Sequence, residues 1–483
     1  MGFRQIFFPA LVNVLAAALL LSASSFNPLR AQVPFFEKTY GRQGADVCFS
    51  VRQLPDSSLY MFGYTENGFV GGYDFSLKKL LPDGTECWSK DYGTAGLDFG
   101  LFMNRADDYN LILIGTTQNP VTVLGEDVLL IKVDSAGNEL WRQVIGGNGN
   151  ESCRYVEQTA DGGFIFCGIT PDPGNSNDAW VGKTDAFGNL VWSNNFGGTG
   201  NDVASRVVAT TSHSWAMSCD TRLGGNGSYD VMLIGLDSAG NQSYSYIRAD
   251  SLTNGTQGMI CTTTGRLVTF GETEVFPGSP FDFLVNVFDA QGNPLRDVVF
   301  GGPGAEAMFD MTETSAGDYI GVGYTNSSGG AINPIDLGVV RMDTLGNLLW
   351  FRQFGSSSID IGYSVIPAIG GGYYVAGRTT LADEEFYLLH IDENGLTGFS
   401  ENTEADKVLN VYPNPAKSGC NVHASQGIAF LEILDAAGRE ILNIENGNSA
   451  NMYLDISYLN PGYYFLKVIY PGGAVGFARL TVQ

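Results

Sequence analysis

Short apolar segments recur along the chain from residue 36 to residue 396, and turns rich in Gly, Asp and Asn separate them. Within one stretch the segments are Arg154–Thr159, Phe164–Gly168, Ala179–Lys183 and Leu190–Phe196. Apolar, β-branched and aromatic runs of this length, bounded by turn residues, predict strands. The turn at Asp185–Asn189 combines an Asp that can close an Asx turn with a Gly that tolerates positive φ. The pattern predicts four antiparallel strands.

The four-strand unit is repeated along the chain. The glycine of its last turn recurs at intervals of 49 to 54 residues, at Gly84, Gly137, Gly188, Gly240, Gly292, Gly346 and Gly395. A marker inside the second strand keeps the same period, at Gly63, Gly115, Gly168, Cys219, Gly271, Gly323 and Gly377. Seven four-stranded units of about 52 residues predict an all-β, seven-bladed β-propeller. A linear solenoid is the structural alternative.

The two ends of the repeat predict a closed ring. After Gly395 the seventh copy becomes polar and lacks its fourth strand. The missing strand has a counterpart near the N-terminus, because Phe36–Gly41 aligns with Trp88–Gly93. We predict that the segment at Phe36 pairs with Phe386–Ile391 and completes blade seven.

Several residue types recur at fixed positions of the repeat. They are an acidic residue that opens the third strand, the Asp and Gly of the following turn and an aromatic residue in the fourth strand. Examples are Asp127, Asp134, Gly137 and Trp141; Asp178, Asp185, Gly188 and Trp192; and Asp336, Asp343, Gly346 and Trp350.

Two interpretations of the acidic columns are open. A ring of carboxylates could bind Ca²⁺, which prefers several oxygen ligands. Alternatively, the carboxylates cap backbone N–H groups at blade corners and pair with a cation of the next strand or blade, such as Lys183 or Arg341. The structural interpretation is favoured, because catalytic residues have no reason to recur in every blade. We therefore assign no catalytic or metal-binding residue, and we expect the Trp side chains to fill the space between blades.

The net charge and the numbers of Cys and His residues exclude several classes of function. The 483 residues include 51 Asp and Glu against 26 Lys and Arg, so the formal net charge is −25. Such a charge disfavours binding to nucleic acid or to anionic lipid. The seven Cys residues are dispersed without a CxxC pair, and only three His are present, so a zinc site and other cofactors are not expected.

The N-terminal segment has the features of a signal peptide. Arg4 precedes the apolar run Ile6–Leu21, which Pro9 and Asn13 interrupt. The run is short for a membrane span, and cleavage near Ala31 fits the small residues that follow it. We predict a signal peptide at residues 1–31, the propeller at 32–399, a polar linker at 400–407 and no membrane span in the mature chain.

Residues 408–483 differ in composition from the repeats and predict a small β-sandwich. They contain Tyr412, Pro413, Asn414 and Pro415, then Asp435, Gly438 and Arg439, then Pro461, Gly462 and Tyr463, and finally Arg479. This order of motifs resembles the type A C-terminal sorting domain of the Bacteroidetes type IX secretion system. The resemblance implies interaction with the type IX secretion machinery and a surface sortase, and a secreted or cell-surface location. The propeller repeats resemble uncharacterised repeats of such bacteria and imply no activity.

These observations predict an exported, non-catalytic binding or adhesion protein with a glycan or another surface molecule as ligand. The loops between the second and third strands vary in sequence, and they are rich in Thr, Asn, Gly and Pro. Loops on a fixed frame commonly carry binding residues. The alternatives are a glycan-active enzyme with its site at the propeller mouth and a purely structural surface protein.

Overall fold

The computed structural model describes part of the chain. The described residues are 35–482, except 67–71, 107–108, 119–124, 148, 173, 175, 211–213, 224–227, 328–334, 356–357, 381–382, 398–408, 413–415, 435–439 and 472–474. The predicted signal peptide and linker lie outside them. No helix in the described part has the length and apolarity needed to cross a membrane.

The strands between residues 36 and 391 form seven four-stranded antiparallel sheets. These sheets confirm the predicted propeller blades. Blade one contains β2 (Asp46–Gln53), β3 (Leu59–Glu66), β4 (Tyr73–Leu80) and β5 (Glu86–Tyr92). Blade two contains β6 (Asp98–Arg105), β7 (Leu111–Gln118), β8 (Glu126–Val133) and β9 (Glu139–Ile145). Blade three contains β10 (Ser152–Gln158), β11 (Phe164–Pro171), β12 (Asn177–Thr184) and β13 (Leu190–Phe196).

The remaining blades repeat this order. Blade four contains β14 (Val203–Ala209), β15 (Trp215–Thr221), β16 (Asp230–Leu236) and β17 (Gln242–Arg248). Blade five contains β18 (Asn254–Cys261), β19 (Leu267–Glu274), β20 (Phe281–Phe288) and β21 (Pro294–Phe300). Blade six contains β22 (Glu306–Glu313), β23 (Tyr319–Thr325), β24 (Asp336–Met342) and β25 (Leu348–Phe354). Blade seven contains β26 (Asp360–Pro367), β27 (Tyr373–Thr380), β28 (Glu384–Ile391) and the N-terminal β1 (Phe36–Tyr40).

The closing strand pairs as predicted from the sequence. β1 runs antiparallel to β28, with Phe36 opposite His390 and Tyr40 opposite Phe386. The hydroxyl of Tyr387 donates a hydrogen bond to Glu37 Oε1 at 2.6 Å. The two ends of the repeat region therefore meet within one sheet, and the ring is closed.

Burial differs between the strands of a blade. In blade two, β7 and β8 are almost wholly buried, whereas β9 alternates between exposed and partly buried positions. Blades pack face to face, so the middle strands are covered on both faces and carry continuous apolar runs. The fourth strand lies at the outer edge, and only one of its faces is covered.

Five strands form a separate sheet in the C-terminal region: β29 (Leu409–Tyr412), β30 (Gly419–Leu434), β31 (Glu440–Asp455), β32 (Gly462–Ile469) and β33 (Val475–Val482). The two long strands pair along most of their length with irregular register after His423. Cys420 and Val422 from the first half of β30 share one apolar cluster with Leu431 and Ile433 from its second half. A long strand whose two halves contribute to one apolar cluster is compatible with the predicted sandwich, which remains a prediction.

Candidate functional site at the loop-side mouth

The first strands of successive blades contact one another around the axis of the propeller. Each contains a β-bulge at the same place; the bulge in β2 lies between Cys48 and Ser50. Bulges re-aim side chains and are common beside functional sites. The bulged residues are Phe49, Leu101, Arg154, Ser205, Gln257, Phe309 and Tyr363. The loops between second and third strands surround one end of the axial channel, and we name this end the loop-side mouth. The bulged residues lie toward it.

Seven aromatic rings follow one another around part of this mouth. They are Phe309 and Tyr324 of blade six, Tyr363 of blade seven, Phe49, Tyr64 and Tyr73 of blade one, and Phe99 of blade two, and we name this set the aromatic arc. Ring centroids are 5.0 Å apart for Phe309 and Tyr363, 4.7 Å for Tyr363 and Phe49, and 5.3 Å for Tyr64 and Phe99. All seven side chains are half-buried. The arc therefore presents flat, partly accessible apolar surface across four blades.

Blades three to five complete the mouth with polar side chains. The amide of Gln257 donates hydrogen bonds to both carboxylate oxygens of Glu272, at 3.1 and 3.3 Å. Asp220 Oδ1 accepts the backbone N–H of Thr256 at 2.6 Å. Burial raises the pKa of Asp220 to about 7, against the smaller lowering effects of that hydrogen bond and of Arg154. Burial also raises the pKa of Glu272.

The sequence contained an indirect signal for these residues. Tyr64, Asp220, Glu272 and Tyr324 occupy one repeat position, directly after the second-strand marker residue. The residue type at this position and at the bulged position varies between blades, although both positions lie within the strands of the repeat. Residues that hold the frame recur between copies, so variable positions inside a fixed strand are available for other roles. The loops between second and third strands, which the sequence indicates as candidate binding residues, lie partly outside the described residues in several blades.

One acidic column caps the backbone at blade junctions. Asp98 Oδ2 accepts the N–H of Thr94 at 2.6 Å, and Asp202 Oδ2 accepts the N–H of Gly198 at 3.0 Å. The carboxylate that opens the third strand approaches the same junction. A Cβ placed on Gly197 would lie 2.4 Å from Asp178 Oδ1 and 2.6 Å from Asp202 Oδ2. The carboxylates of Asp178 and Asp202 thus both contact Gly197, where a side chain would not fit.

The expected pairing of these carboxylates with the basic column is wrong for two blades. Lys183 pairs with Asp161 at 2.7 Å and Arg341 pairs with Asp318 at 3.0 Å, and both acids belong to the turn between first and second strands. Asp178 instead accepts a hydrogen bond from the amide of Asn195 at 2.8 Å. Lys183 and Arg341 lie near the end of the third strand, whereas the carboxylates of Asp178 and Asp336 lie at its start. The basic side chains are therefore close to the turn between first and second strands.

Asp127 is buried against Gly146, and Asp336 accepts a hydrogen bond from the Gln353 amide. Among the described residues, no group of three His, Cys, Asp or Glu side chains could hold a metal ion. The calcium interpretation of these columns remains a prediction.

The turn residues form one recurring hydrogen-bonded unit. Asp134 Oδ1 accepts the N–H groups of Ala136 and Asn138, at 2.9 and 2.8 Å. Asp185 and Asp343 do the same in blades three and six. The glycines of these turns have φ near +80°, at Gly137, Gly188 and Gly346. Trp192 lies against the turn glycine of the next blade, Gly240, and Trp350 lies against Gly395.

The residues of the sorting motif are only partly described. Tyr412 ends β29 and its ring is 78% exposed. Pro461 directly precedes β32, where Gly462 and Tyr463 lie, and Arg479 lies on β33. Pro413, Asn414, Pro415, Asp435, Gly438 and Arg439 lie outside the described residues.

Comparison with solved structures gives low overall similarity. A structure of PorZ, described as an essential bacterial surface component of the type IX secretion system of Porphyromonas gingivalis, is 12% identical with a TM-score of 0.45; the match covers 90% of this chain and 59% of that one. The β-propeller domain of the Trilobed protease from Pyrococcus furiosus is 8% identical with a TM-score of 0.43, covering 73% and 94%. The GH93 α-L-arabinofuranosidase of Fusarium graminearum is 10% identical with a TM-score of 0.42, covering 60% and 93%. No curated protein has significant sequence similarity to the chain.

The C-terminal region matches a family model. Residues 410–474 match the secretion system C-terminal sorting domain. The match contains the motifs from Tyr412 to Tyr463, and it ends before Arg479. Residues 410–474 are therefore a type IX secretion system C-terminal sorting domain, and the protein is a secreted or cell-surface protein that the type IX system exports.

Proposed function

We propose that the propeller is a non-catalytic binding or adhesion protein and that it binds a neutral polysaccharide at the loop-side mouth. The aromatic arc carries this proposal. Sugar rings combine apolar C–H faces with hydroxyl edges, and half-buried aromatic rings offer them flat contact at little conformational cost. Gln257, Asp220 and Glu272 supply amide and carboxyl groups for the hydroxyls on the other side of the mouth.

A glycan array probed with the mature full-length protein tests this function. Replacing Phe49 and Tyr363 together by Ala removes the centre of the arc, and we expect affinity for the bound glycan to fall by about tenfold or more. Phe187→Ala is the matched control, because this ring is 69% exposed in a turn at the other end of the blade. Failure to bind any glycan would favour a structural surface protein, and equal binding by the double variant and the control would exclude the aromatic arc as the binding site.

A second candidate function is glycan hydrolysis, and the raised pKa values of Asp220 and Glu272 favour it. A carboxyl group that stays protonated near neutral pH can act as a general acid, and glycosidases use two carboxyl groups. Release of reducing ends from the bound glycan would support this function if Asp220→Asn abolished release and preserved binding. Binding without any release by the native protein would exclude it for that glycan.

Delivery to the surface gives a separate set of proposals. We place a signal peptide at residues 1–31 and a cleavable linker at 400–407, where a surface sortase would separate the propeller from the sorting domain. Deleting residues 408–483 should leave the propeller in the periplasm, whereas the full chain reaches the surface. Mass spectrometry of the surface form should find an N-terminus near residue 32 and a C-terminus near residue 400. Surface display of the truncated chain would contradict the sorting role.

A further inference from the structure

A cavity of about 510 Å³ opens at the other end of the axial channel. Gln53, Arg105, Gln158 and Pro367 line it, and each is the last residue of a first strand. The cavity therefore lies beside the short turns between first and second strands, and we name this end the turn-side mouth. Small-molecule sites typically enclose about 300–1,000 Å³, so the cavity is large enough for a ligand.

Arg52 presents a fixed guanidinium to this cavity. Its Nε donates to Asn104 Oδ1 at 3.2 Å and its Nη1 donates to the Val51 carbonyl at 2.7 Å. The guanidinium carbon lies 4.7 Å from the centre of the Phe102 ring. These contacts hold the plane of the group, while none of the described residues accepts a hydrogen bond from Nη2. A held guanidinium edge is a suitable donor for an anionic oxygen.

The charges around the cavity are unbalanced. Arg52 and Arg105 both line it, and Glu157 is the single acidic residue among its described lining residues. Arg105 is exposed. Arg206, behind Tyr155, is already neutralised by Asp310 at 2.9 Å. Two arginines and one carboxyl group in the described lining suit an anionic ligand.

The opposite wall of the cavity is apolar. Ile366 and Pro367, at the end of the first strand of blade seven, face the polar groups of blades one to three across the opening. The ligand that fits both walls carries an anionic group at one end and apolar surface at the other. Inorganic ions satisfy only the first requirement.

From this arrangement we propose that the turn-side mouth binds a small organic acid of about monosaccharide size, whose carboxylate or phosphate is held by Arg52 and Arg105. Glu157 makes this binding sensitive to pH. Burial raises the pKa of Glu157 to about 7, against smaller lowering effects of Arg206, the Ala209 backbone N–H, Tyr155 and Arg52. Below that pH the neutral carboxyl no longer repels the ligand. This site is independent of the loop-side mouth and of the function proposed for it.

Isothermal titration of the mature full-length protein with four probes tests the proposal: glucuronate, glucose 6-phosphate, glucose and inorganic phosphate. We expect saturable binding of at least one of the two sugar acids and none of glucose. Arg105→Gln should weaken the binding by about tenfold, because a charge-assisted hydrogen bond is lost from an exposed side chain that the fold does not need. Arg154→Gln, at the loop-side mouth, is the matched control and should bind normally.

The pH series uses a sugar acid whose own charge stays constant. Glucuronate should bind about tenfold more tightly at pH 6 than at pH 8, and Glu157→Gln should bind equally at both. Binding of glucose 6-phosphate alone would identify a phosphate ligand, and binding of glucuronate alone would identify a carboxylate ligand. The proposal would be overturned if neither acid bound, if glucose or inorganic phosphate bound as well as the acids, or if Arg105→Gln bound normally.

Discussion

The indole ring of Trp141 in blade two lies directly against Gly188 in the last turn of blade three. A Cβ placed on Gly188 would be 2.6 Å from Trp141 Cζ3. The same relationship joins Trp88 to Gly137, and at the closure of the ring it joins Phe36 to Gly84. The fourth strand of each of these blades thus contacts the turn of the next one. The period of the sequence reflects this contact, because the aromatic residue and the turn glycine must recur together.

Gly188→Ala should destabilise the propeller by about 2–4 kcal/mol, because the new methyl group overlaps the indole and the residue must keep φ at +82°. Gly317→Ala is the matched control. Its φ is +85°, but a Cβ there meets nothing within 4 Å, so we expect a loss of about 1 kcal/mol. Urea unfolding of both variants measures the difference. Equal losses would show that the contact with Trp141 is unimportant.

Phe36→Ala should weaken the closure of the ring. Phe36 is 9% exposed, and its ring lies 5.7 Å from His390 and 6.4 Å from Tyr374. Removing a buried Phe costs about 3–5 kcal/mol, and here the loss falls on the one sheet that joins the two ends of the ring. Hydrogen exchange should accelerate in β28 before it does in blade three. Thr39→Ala, an exposed change on the same strand, should leave exchange unaltered.

An ion pair crosses the middle of the axial channel. Arg206 Nη1 of blade four lies 2.9 Å from Asp310 Oδ1 of blade six, and the two residues are 9% and 4% exposed. Asp310 Oδ2 also accepts the N–H of Val365 at 3.0 Å. The Arg206 guanidinium lies over the rings of Tyr155 and Phe270. The pair and its contacts therefore link five blades, three to seven, through groups that water hardly reaches.

Asp310→Asn should cost about 3–5 kcal/mol, because it leaves the Arg206 charge buried without its partner. Arg206→Met together with Asp310→Asn should cost clearly less than the two single changes added together. A double-mutant cycle in urea measures this coupling. The exposed pair Arg142–Glu139, at 2.5 Å, is the comparison and should couple by less than about 1 kcal/mol. Additive losses at the buried pair would contradict the prediction.

The blades and their order could be predicted because their residues recur in each copy of the repeat. The residues that line the channel could not be predicted because they do not recur. The period, the seven blades and the closing role of Phe36 follow from residues that recur, because each blade solves the same packing problem. Arg206, Asp310 and the aromatic arc occupy positions whose residue type varies between copies. Their partners come from other blades, and nothing in a single copy specifies which residue will face them. Tyr363 and Phe49, for example, are separated by most of the sequence although their rings are 4.7 Å apart.

Cys87 should be the most reactive thiol of the folded protein. All seven cysteines are free, and Cys87 is exposed whereas Cys48, Cys153 and Cys219 are buried. Burial raises the pKa of the Cys48 and Cys153 thiols to about 12, so they contain almost no thiolate at neutral pH. A chromogenic disulfide reagent should titrate Cys87 first and the buried thiols after unfolding. Cys87→Ser should abolish the fast phase, and a fast phase that survives would locate the reactive thiol elsewhere.

Stability should fall as the pH rises from about 4 to about 7. Burial raises the pKa values of Asp220 and Glu157 to about 7, whereas carboxyl groups in the unfolded chain titrate near 4. Between these pH values the folded state binds more protons than the unfolded state, so the free energy of unfolding decreases as the pH rises. Well above pH 7 both states have lost these protons, and the contribution of Asp220 and Glu157 is constant. Asp220→Asn with Glu157→Gln should flatten the profile by on the order of 5 kcal/mol between pH 5 and pH 8. Urea midpoints at four pH values measure it, with the exposed change Glu445→Gln as control. Parallel profiles for the native protein and the double variant would show that these two carboxyl groups are not the source of the pH dependence.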